Sequence, residues 1–136
     1  MINLATVFSG IGAIEEALKR LKFDYNLIFA CDNGERDVYS EHSNLSSKLS
    51  NDIIAEISNR YSNHKSPNFV KKSYFANHSI KDDQWYEDIR FIDGNLYRDQ
   101  VDLLVGGSPC QSFSIIGKRA GLDDVRGTLF YDYARL

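Results

Sequence analysis

The order of apolar and polar residues divides the first part of the chain into a strand, a turn, a helix and a second strand. Residues 4–8 form a short apolar run, and a turn with two glycines follows at residues 9–12. A second apolar run covers residues 26–31 and stops at Asp32. Between the two runs, the helical spacing i, i+3, i+4 and i+7 is occupied by Ile14, Ala17, Leu18 and Leu21. This order predicts the start of a parallel α/β sheet.

The predicted helix has one apolar face and one charged face. Its apolar positions form a stripe of the kind that packs on a sheet. The opposite face carries two acidic–basic pairs at the favourable i, i+4 spacing, Glu15 with Lys19 and Glu16 with Arg20. We therefore expect Glu15 to lie on the outer side of the helix.

The segment from residue 43 to residue 84 has a different character, because serine and asparagine become frequent and hydrophobicity falls. Helical spacing nevertheless persists at Leu49, Ile53, Ile57 and Tyr61. We interpret the segment as an insertion with one helix and mobile flanks, rather than as a disordered linker.

The last third of the chain contains two further predicted strands and a helix. A short strand is predicted within residues 85–92 and a clear buried strand at residues 101–105, which leads directly into residues 106–110. A polar loop with several glycines follows at residues 111–127, and another helix begins within residues 128–136.

Composition excludes several classes of protein. A chain of 136 residues, 43% of them apolar, can form one domain with a real core. It lacks an apolar run long enough for a membrane span and a signal-peptide pattern at its start, so we expect a cytoplasmic protein. Two cysteines are too few for a disulfide framework or a zinc site, and we expect no metal. The net charge of −3 means that any affinity for nucleic acid depends on local positive charge or on parts outside this sequence.

The first candidate site is a nucleoside pocket at the glycine turn. Gly10 and Gly12 would let the backbone approach a ligand, and Asp32, twenty positions beyond Gly12, could hold ribose hydroxyls. A dinucleotide is a weaker interpretation, because Glu15 occupies the place of the third glycine and its carboxylate would disfavour a pyrophosphate. The alternative is a glycine turn that only packs helix on strand, with Asp32 capping the next helix.

The second candidate site is Cys110, which follows a buried strand at the place where open α/β sheets bind ligands. A thiolate is a strong nucleophile when nearby positive charge or a helix terminus lowers its pKa. The adjacent loop supplies local positive charge in Lys118, Arg119 and Arg126. Cys31, inside an apolar strand, is better interpreted as an inert core residue.

These segments, in this order, resemble the motifs of the DNA cytosine-5 methyltransferase family. The turn Phe8-Ser9-Gly10-Ile11-Gly12 resembles the first motif, Asp32 the acidic residue of the second, and Asp88-Ile89 the third. Residues 106–114, Gly-Gly-Ser-Pro-Cys-Gln-Ser-Phe-Ser, resemble the nucleophile motif, and the resemblance continues at intervals from residue 117 to residue 130. Residues 43–84 match no motif.

The resemblance implies a Rossmann-like S-adenosylmethionine-dependent methyltransferase fold, an α/β fold with a parallel sheet and helices on both faces. Residues 1–136 would be the N-terminal part of the catalytic, cofactor-binding domain, C-terminally incomplete. The implied cofactor is S-adenosyl-L-methionine, with S-adenosyl-L-homocysteine as product. Phe8 should pack its ring against the adenine, which Asp88 should contact. The cofactor-binding residues implied are Phe8, Ser9, Gly10, Gly12, Asp32, Asn33, Asp88, Ile89, Pro109 and Leu129.

The resemblance also implies Cys110 as the catalytic thiol and a cytosine flipped out of duplex DNA as the substrate. Thiolate addition at carbon 6 makes carbon 5 enamine-like, so that it can take a methyl group that it could not take directly. The loop 111–127 would close over the flipped base. The loop and helix residues expected at the DNA are Gln111, Ser112, Ser114, Lys118, Arg119 and Arg126. A cognate restriction endonuclease is an expected partner.

Other parts of the family pattern are absent from this sequence. We find no Glu-Asn-Val triplet, no Gln-x-Arg-x-Arg motif and no target-recognition region, so the target DNA sequence is not encoded here. We therefore expect a fragment, the ordered part of a longer enzyme, or one subunit of a split enzyme. The 136 residues alone should transfer methyl groups poorly, and a C-terminal segment or subunit would complement them.

Three other functions stay open. A tRNA cytosine-5 methyltransferase would use the same thiol chemistry, although Ser108 and the Gln-Ser-Phe-Ser run are more similar to the DNA branch. A non-catalytic S-adenosylmethionine-binding subunit would have no need of Cys110. An unrelated α/β thiol enzyme would leave Asp32, Asp88 and the glycine turn as coincidences.

Overall fold

The structure is a computed structural model that describes residues 1–36, 38, 51–108 and 125–136, without the side chains of residues 52, 53 and 125–128. The described strands are β1 (Ile2–Val7), β2 (Tyr25–Cys31), β3 (Trp85–Tyr86) and β4 (Leu103–Gly106). The described helices are α1 (Ala13–Arg20), α2 (Asn51–Ser62), α3 (Phe69–Asn77) and α4 (Val125–Arg135). Short 3₁₀ turns occur at Asp82–Gln84, Ile89–Phe91 and Gly94–Tyr97.

The four described strands form one parallel sheet in the order β3-β2-β1-β4. In the register of the sheet, Val7 pairs with both Cys31 and Gly106, and Cys31 pairs with Tyr86. The four strands therefore end in one row at the same edge. The order reverses at β1, because the chain first moves to β2 and β3 on one side and later returns to β4 on the other. Such a reversal opens a crevice beyond the strand ends, where α/β sheets bind ligands.

Helices cover both faces of this sheet, as the sequence predicts. On one face, α4 places Leu129 and Tyr133 against a core of strand residues and the segment after β3. This first core consists of Ala5, Val7, Phe29, Cys31, Ile89 and Ile92. On the other face, α1 and α3 pack on a second core, which consists of Leu4, Leu27, Ala30, Tyr74 and Trp85. Successive residues of β1 point to opposite faces, which is why neighbouring residues Leu4 and Ala5 belong to different cores.

Polar contacts also attach α4 to the segment after β3. The guanidinium of Arg135 donates to the carbonyl oxygens of Ile92 (2.9 Å) and Ile89 (3.2 Å). Arg90 donates to the carboxylate of Asp132 across 3.4 Å. This helix thus holds the chain immediately beyond Asp88 from the side of the first core.

The face of α1 that is buried differs from the one predicted. Glu15 is 1% exposed, whereas Ile14 is 37% and Leu21 is 68% exposed. The expectation that Glu15 lies on the outer side with Lys19 is wrong, while the Glu16–Arg20 pair is confirmed at 2.8 Å. Glu15 turns inward because two hydroxyl groups of the interior donate to its Oε1, Thr6 at 2.8 Å and Tyr74 in a short contact. Hydrogen bonding thus compensates the loss of hydration at that oxygen.

Residues 43–84, named here the inserted segment, contain the predicted helix and a second one. Helix α2 buries Ile57 (4% exposed) and Tyr61 (5%), as the spacing predicts. Helix α3 is not predicted by the pattern; Asn68 caps its first turn by accepting from the amide of Lys71 at 2.8 Å. The third strand has two residues and lies within the range in which a short strand is predicted. Among the described residues, no helix is long and apolar enough to cross a membrane.

Candidate functional site

Four chain segments leave the sheet side by side at the carboxyl ends of the strands. They begin at Phe8 after β1, Asp32 after β2, Glu87 after β3 and Gly107 after β4. Hydrogen bonds continue the row one step beyond the sheet: the amide of Ser9 donates to Cys31 O (3.0 Å) and the amide of Asp32 to Tyr86 O (3.1 Å). The predicted cofactor motifs are therefore adjacent, although more than half of the chain separates the first from the last.

The turn after β1 departs from ordinary backbone geometry. Phe8 has a φ of 52°, which is rare for a bulky side chain and is concentrated at functional sites. Gly10 has a φ of 56°, and a Cβ added there would meet no atom within 4 Å. Gly12 has a φ of 89°, but a Cβ there would overlap the imidazole of His78. Only the first of these two glycines, therefore, leaves open space in which a ligand can approach the backbone.

Asp32 joins this turn to the one after β2. Its Oδ2 accepts from the amide of Gly10 (2.9 Å) and its Oδ1 from the amide of Gly34 (2.8 Å). A carboxylate offers about four lone-pair positions, and the described residues occupy two of them. Ribose hydroxyls are donors that suit the others. The alternative in which Asp32 only caps a helix is not supported within the described residues, where no helix begins at Asp32.

Ser9 and Asn33, both predicted at the cofactor, use their side chains on neighbouring backbone. The hydroxyl of Ser9 donates to Cys31 O and accepts from Cys31 N, each at 3.1 Å. The side-chain amide of Asn33 accepts from the backbone amide of Glu35 through Oδ1 at 2.9 Å and donates to Arg36 O through Nδ2 at 3.3 Å. These contacts fix the shape of the two turns.

Asp88 is 4% exposed, and each of its carboxylate oxygens accepts a hydrogen bond. Oδ2 accepts from the hydroxyl of Tyr61 at 2.7 Å, and Oδ1 accepts from the amide of Arg90 at 2.9 Å. The neighbouring Ile89 is 3% exposed and belongs to the first core. The side chain of Ile89 thus supports the segment from below, together with that of Leu129.

The two glycines at the end of β4, Gly106 and Gly107, have different surroundings. A Cβ at Gly106 would lie 2.5 Å from Cγ2 of Val7, so this glycine is required by packing between strands. A Cβ at Gly107 would meet nothing within 4 Å. Among the described residues, Gly107 thus leaves open space beside the backbone, whereas Gly106 does not. The described residues of this segment end at Ser108. The remaining predicted site residues of the segment lie outside the described residues, namely Pro109, Cys110, Gln111, Ser112, Ser114, Lys118, Arg119 and the side chain of Arg126.

Cys31 is an inert core residue, as the sequence predicts. It is 3% exposed and not in a disulfide. Burial, and then the negative charges of Asp88, Asp32 and Glu87, raise the pKa of its thiol well above the ordinary value. A thiol in this environment stays protonated and is a poor nucleophile.

A cavity of about 270 Å³ opens between α2 and β3, and Asp88 is not among its lining residues. Its lining includes Arg36, Tyr61, Glu87 and Phe91 but neither Gly10 nor Asp32. The charges at its wall are already paired, because the guanidinium of Arg36 contacts the carboxylate of Glu87. Within the described residues, no cluster of acidic, histidine or cysteine side chains could hold a metal ion.

Sequence reasoning missed a set of side chains that hold the candidate site from outside its motifs. All of them come from the inserted segment, and they are Tyr61, Asn68, Tyr74 and His78. Tyr61 was predicted only as a core position of a helix. Asn68 follows a proline and precedes an apolar residue, which is a helix-start signal that could have located α3.

Comparison with known proteins agrees with this arrangement. The family model described as C-5 cytosine-specific DNA methylase matches residues 2–136. The orphan methyltransferase M.Rho11sI of Bacillus phage rho11s is 34% identical over 132 residues, which are 97% of this chain and 20% of that protein. The orphan methyltransferase M.SPRI of Bacillus phage SPR is 33% identical over 97% of this chain and 22% of its own length. The type II methyltransferase M.Eco47II of Escherichia coli is 52% identical over 35% of this chain and 12% of its length.

The chain thus spans about a fifth of the length of the first two relatives. Its match to the family model nevertheless runs through every strand and helix described above. The fold, with its parallel sheet and helices on both faces, agrees with the Rossmann-like methyltransferase fold that the motifs imply. This chain belongs to the C-5 cytosine-specific DNA methylase family.

Proposed function

We propose that this chain is the cofactor-binding and nucleophile-bearing part of an enzyme that methylates carbon 5 of cytosine in duplex DNA. The observation that carries the proposal is the common row of Val7, Cys31, Tyr86 and Gly106. This register brings the turns after β1, β2 and β3 to the edge at which β4 ends with Gly106, three positions before Pro109 in the sequence. The family match over residues 2–136 supports the same chemistry.

The described residues fit S-adenosylmethionine as the cofactor. Open space above Gly10 accommodates a ligand, and the acceptor positions of Asp32 that the described residues do not occupy suit ribose hydroxyls. Asp88 has acceptor capacity for the adenine, and Phe8, half-buried beside the first core, has a ring suited to pack on it. When bound, the cofactor supplies a methyl group on a positively charged sulfur, which makes that carbon an electrophile.

The thiol of Cys110 would supply the nucleophile. In its thiolate form it adds to carbon 6 of cytosine, and the electron pair released toward carbon 5 makes that carbon nucleophilic. After carbon 5 has accepted the methyl group, loss of its proton and release of the thiolate restore the aromatic ring and the enzyme. The base must leave the DNA stack to reach the thiol, because the helix buries carbon 6.

The residues after Cys110 would contact the DNA. Lys118, Arg119 and Arg126 could pair with phosphates, while Gln111, Ser112 and Ser114 offer neutral hydrogen-bonding groups. We propose this loop as the cover of the flipped cytosine. Because the overall charge is −3, most of the electrostatic attraction to DNA would come from this loop and from parts of the enzyme outside this chain.

The wider context of the enzyme is also a proposal. Relatives of this chain include proteins named orphan methyltransferases and proteins named type II methyltransferases. We propose a cytoplasmic enzyme that acts on nucleoid DNA, with a restriction endonuclease as partner. The remaining catalytic groups and the target recognition would come from a C-terminal segment or a complementing subunit. The description of the family names DNA, which favours DNA over tRNA as the substrate.

The deciding experiment traps the covalent intermediate. The native gene product is incubated with S-adenosylmethionine and duplex DNA that contains 5-fluorocytosine, since fluorine replaces the proton that must leave. We expect a stable enzyme–DNA adduct that mass spectrometry locates on the peptide of Cys110.

Two cysteine variants make the result specific. Cys110→Ala should abolish the adduct, whereas Cys31→Ala should keep it, because Cys31 is buried and protonated. An adduct that survives Cys110→Ala would refute the assignment of the nucleophile. Adduct formation with 5-fluorocytosine tRNA but with no duplex DNA would replace the DNA substrate by RNA, and cofactor binding without any adduct would leave a binding subunit.

A further inference from the structure

We propose that Tyr61 of the inserted segment is a positioning residue of the cofactor site, which orients the Asp88 carboxylate to accept a hydrogen bond from the adenine. This inference rests on the proposed function, because it presumes S-adenosylmethionine as the ligand. It gives a role to a segment in which the sequence shows no motif.

The contact with Asp88 leaves the carboxylate little freedom. Tyr61 donates to Oδ2 at 2.7 Å and the amide of Arg90 donates to Oδ1 at 2.9 Å, so rotation about the Cβ–Cγ bond would break both hydrogen bonds. Among the described contacts, each oxygen keeps one acceptor position. The exocyclic amino group of adenine is a donor from which such a position could accept a hydrogen bond. Hydrogen bonds to a charged group are among the stronger ones, which makes the tyrosine an effective restraint.

The phenol ring of Tyr61 is itself held in place by two neighbouring side chains. Its side chain is 5% exposed. The guanidinium of Arg36 lies 4.9 Å from the centre of its ring, and the ring of Phe91 meets it edge-on at 6.1 Å. Arg36 also donates to the backbone oxygen of Tyr61 at 3.4 Å and is paired with Glu87. A ring packed in this way presents its hydroxyl at a fixed point.

The same mode of support recurs along the edge, which argues against an accidental contact. Asn68 donates to the backbone oxygen of Asp32 at 2.9 Å and to Glu87 at 2.8 Å. The imidazole of His78 lies 3.1 Å from the backbone oxygen of Ile11. The inserted segment therefore touches each of the three cofactor turns, and Tyr61 is its contact with an adenine-binding side chain.

The test compares two ligands that differ only at the adenine amino group. The native gene product and its Tyr61→Phe variant are titrated calorimetrically with S-adenosylhomocysteine and with the analogue whose base is unsubstituted purine, in which a hydrogen replaces that amino group. The wild type should prefer S-adenosylhomocysteine. In Tyr61→Phe the preference should fall about fivefold to tenfold, because the carboxylate is no longer restrained. The KM for S-adenosylmethionine should rise while kcat at saturating cofactor stays unchanged.

Two further variants separate positioning from general stability. Tyr97→Phe removes a hydroxyl that contacts the hydroxyl of Tyr86 at 2.5 Å, where both rings pack against the first core, so it should leave the ligand preference unchanged. In an Asp88→Asn background, Tyr61→Phe should change the preference less than twofold, since the two residues act as one unit.

An unchanged preference in Tyr61→Phe, with both ligands still bound, would overturn this inference and leave the proposed function intact. An equal fall in Tyr97→Phe would overturn it as well. If the wild type binds neither ligand, the proposed function fails first and the inference fails with it.

Discussion

The motif-bearing turns and the inserted segment contribute differently to the same edge of the sheet. The turns after β1 and β2 contribute backbone geometry, namely positive φ angles at Phe8 and Gly10 and an amide that binds Asp32. The inserted segment contributes side chains that hold those turns from behind, His78 at the turn after β1 and Asn68 at the turn after β2. The family motifs thus mark the proposed ligand-binding turns, whereas the rigidity of these turns depends on residues that belong to no motif.

The largest expected effect comes from Gly12→Ala compared with Gly10→Ala. Gly12 combines a φ of 89° with contact to His78, so the substitution should lower the free energy of unfolding by about 3 kcal/mol. Gly10→Ala meets no neighbour and should cost only about 1 kcal/mol, from the φ of 56°. Urea unfolding of the 136-residue chain, followed by the fluorescence of its single tryptophan, Trp85, measures both.

For cofactor binding by the folded protein, the order of the two variants should be reversed, so that Gly10→Ala has the larger effect. Gly10→Ala places a methyl group in the open space and should weaken binding of S-adenosylhomocysteine by the folded protein more than its small stability loss suggests. Equal unfolding free energies for the two variants would contradict the division between a ligand-facing glycine and a packing glycine.

A smaller effect is expected where the inserted segment holds α1. Tyr74→Phe removes the hydroxyl donor from the Oε1 of Glu15, whose Oε2 already lacks a partner among the described atoms. The buried carboxylate then keeps only the Thr6 donor, and unfolding should become easier by about 2 kcal/mol. The same urea experiment measures the loss. Tyr131→Phe is the control, because that side chain is 52% exposed, and a matching loss in it would refute a specific role for Tyr74.

The smallest expected effect is a decline of stability at alkaline pH. Burial raises the pKa of Cys31 well above the ordinary thiol value of 9.0, and also raises the pKa of Tyr74 and Tyr86. These groups keep their protons in the fold to higher pH than in the unfolded chain. Their stabilisation is therefore fully present below about pH 9 and is lost as pH rises toward the folded pKa values. Cys31 alone should remove about 1.4 kcal/mol per pH unit in that window.

Unfolding midpoints in urea at about pH 8, 9 and 10 measure this decline. Cys31→Ala should flatten the dependence, leaving the shallower contribution of the tyrosines. A midpoint that is constant over the whole range would show that the thiol is not buried in the fold.

The fold was predictable to the extent that local patterns decide it. Apart from α3, the order of strands and helices follows from periodicity in short windows, as do the parallel sheet and the burial of Ile57. The buried face of α1 was not predictable, because Glu15 is satisfied by Tyr74, and no local pattern reveals such a partner. The site shows the same limit: Gly10 and Asp32 belong to a recognisable spacing, whereas the contact between Tyr61 and Asp88 exists only in three dimensions.

The long separations of these contacts have a consequence for the order of folding. Glu15 and Tyr74 are 59 residues apart, Ile11 and His78 are 67 apart, and Asp32 and Asn68 are 36 apart. During synthesis the first two turns leave the ribosome well before the side chains that hold them. Contacts of high sequence separation form late, since the loop between them must first be closed. The nascent chain therefore cannot assemble its proposed nucleoside pocket until α3 and His78 have emerged, so a ribosome paused before that point would present the two turns without their side-chain supports.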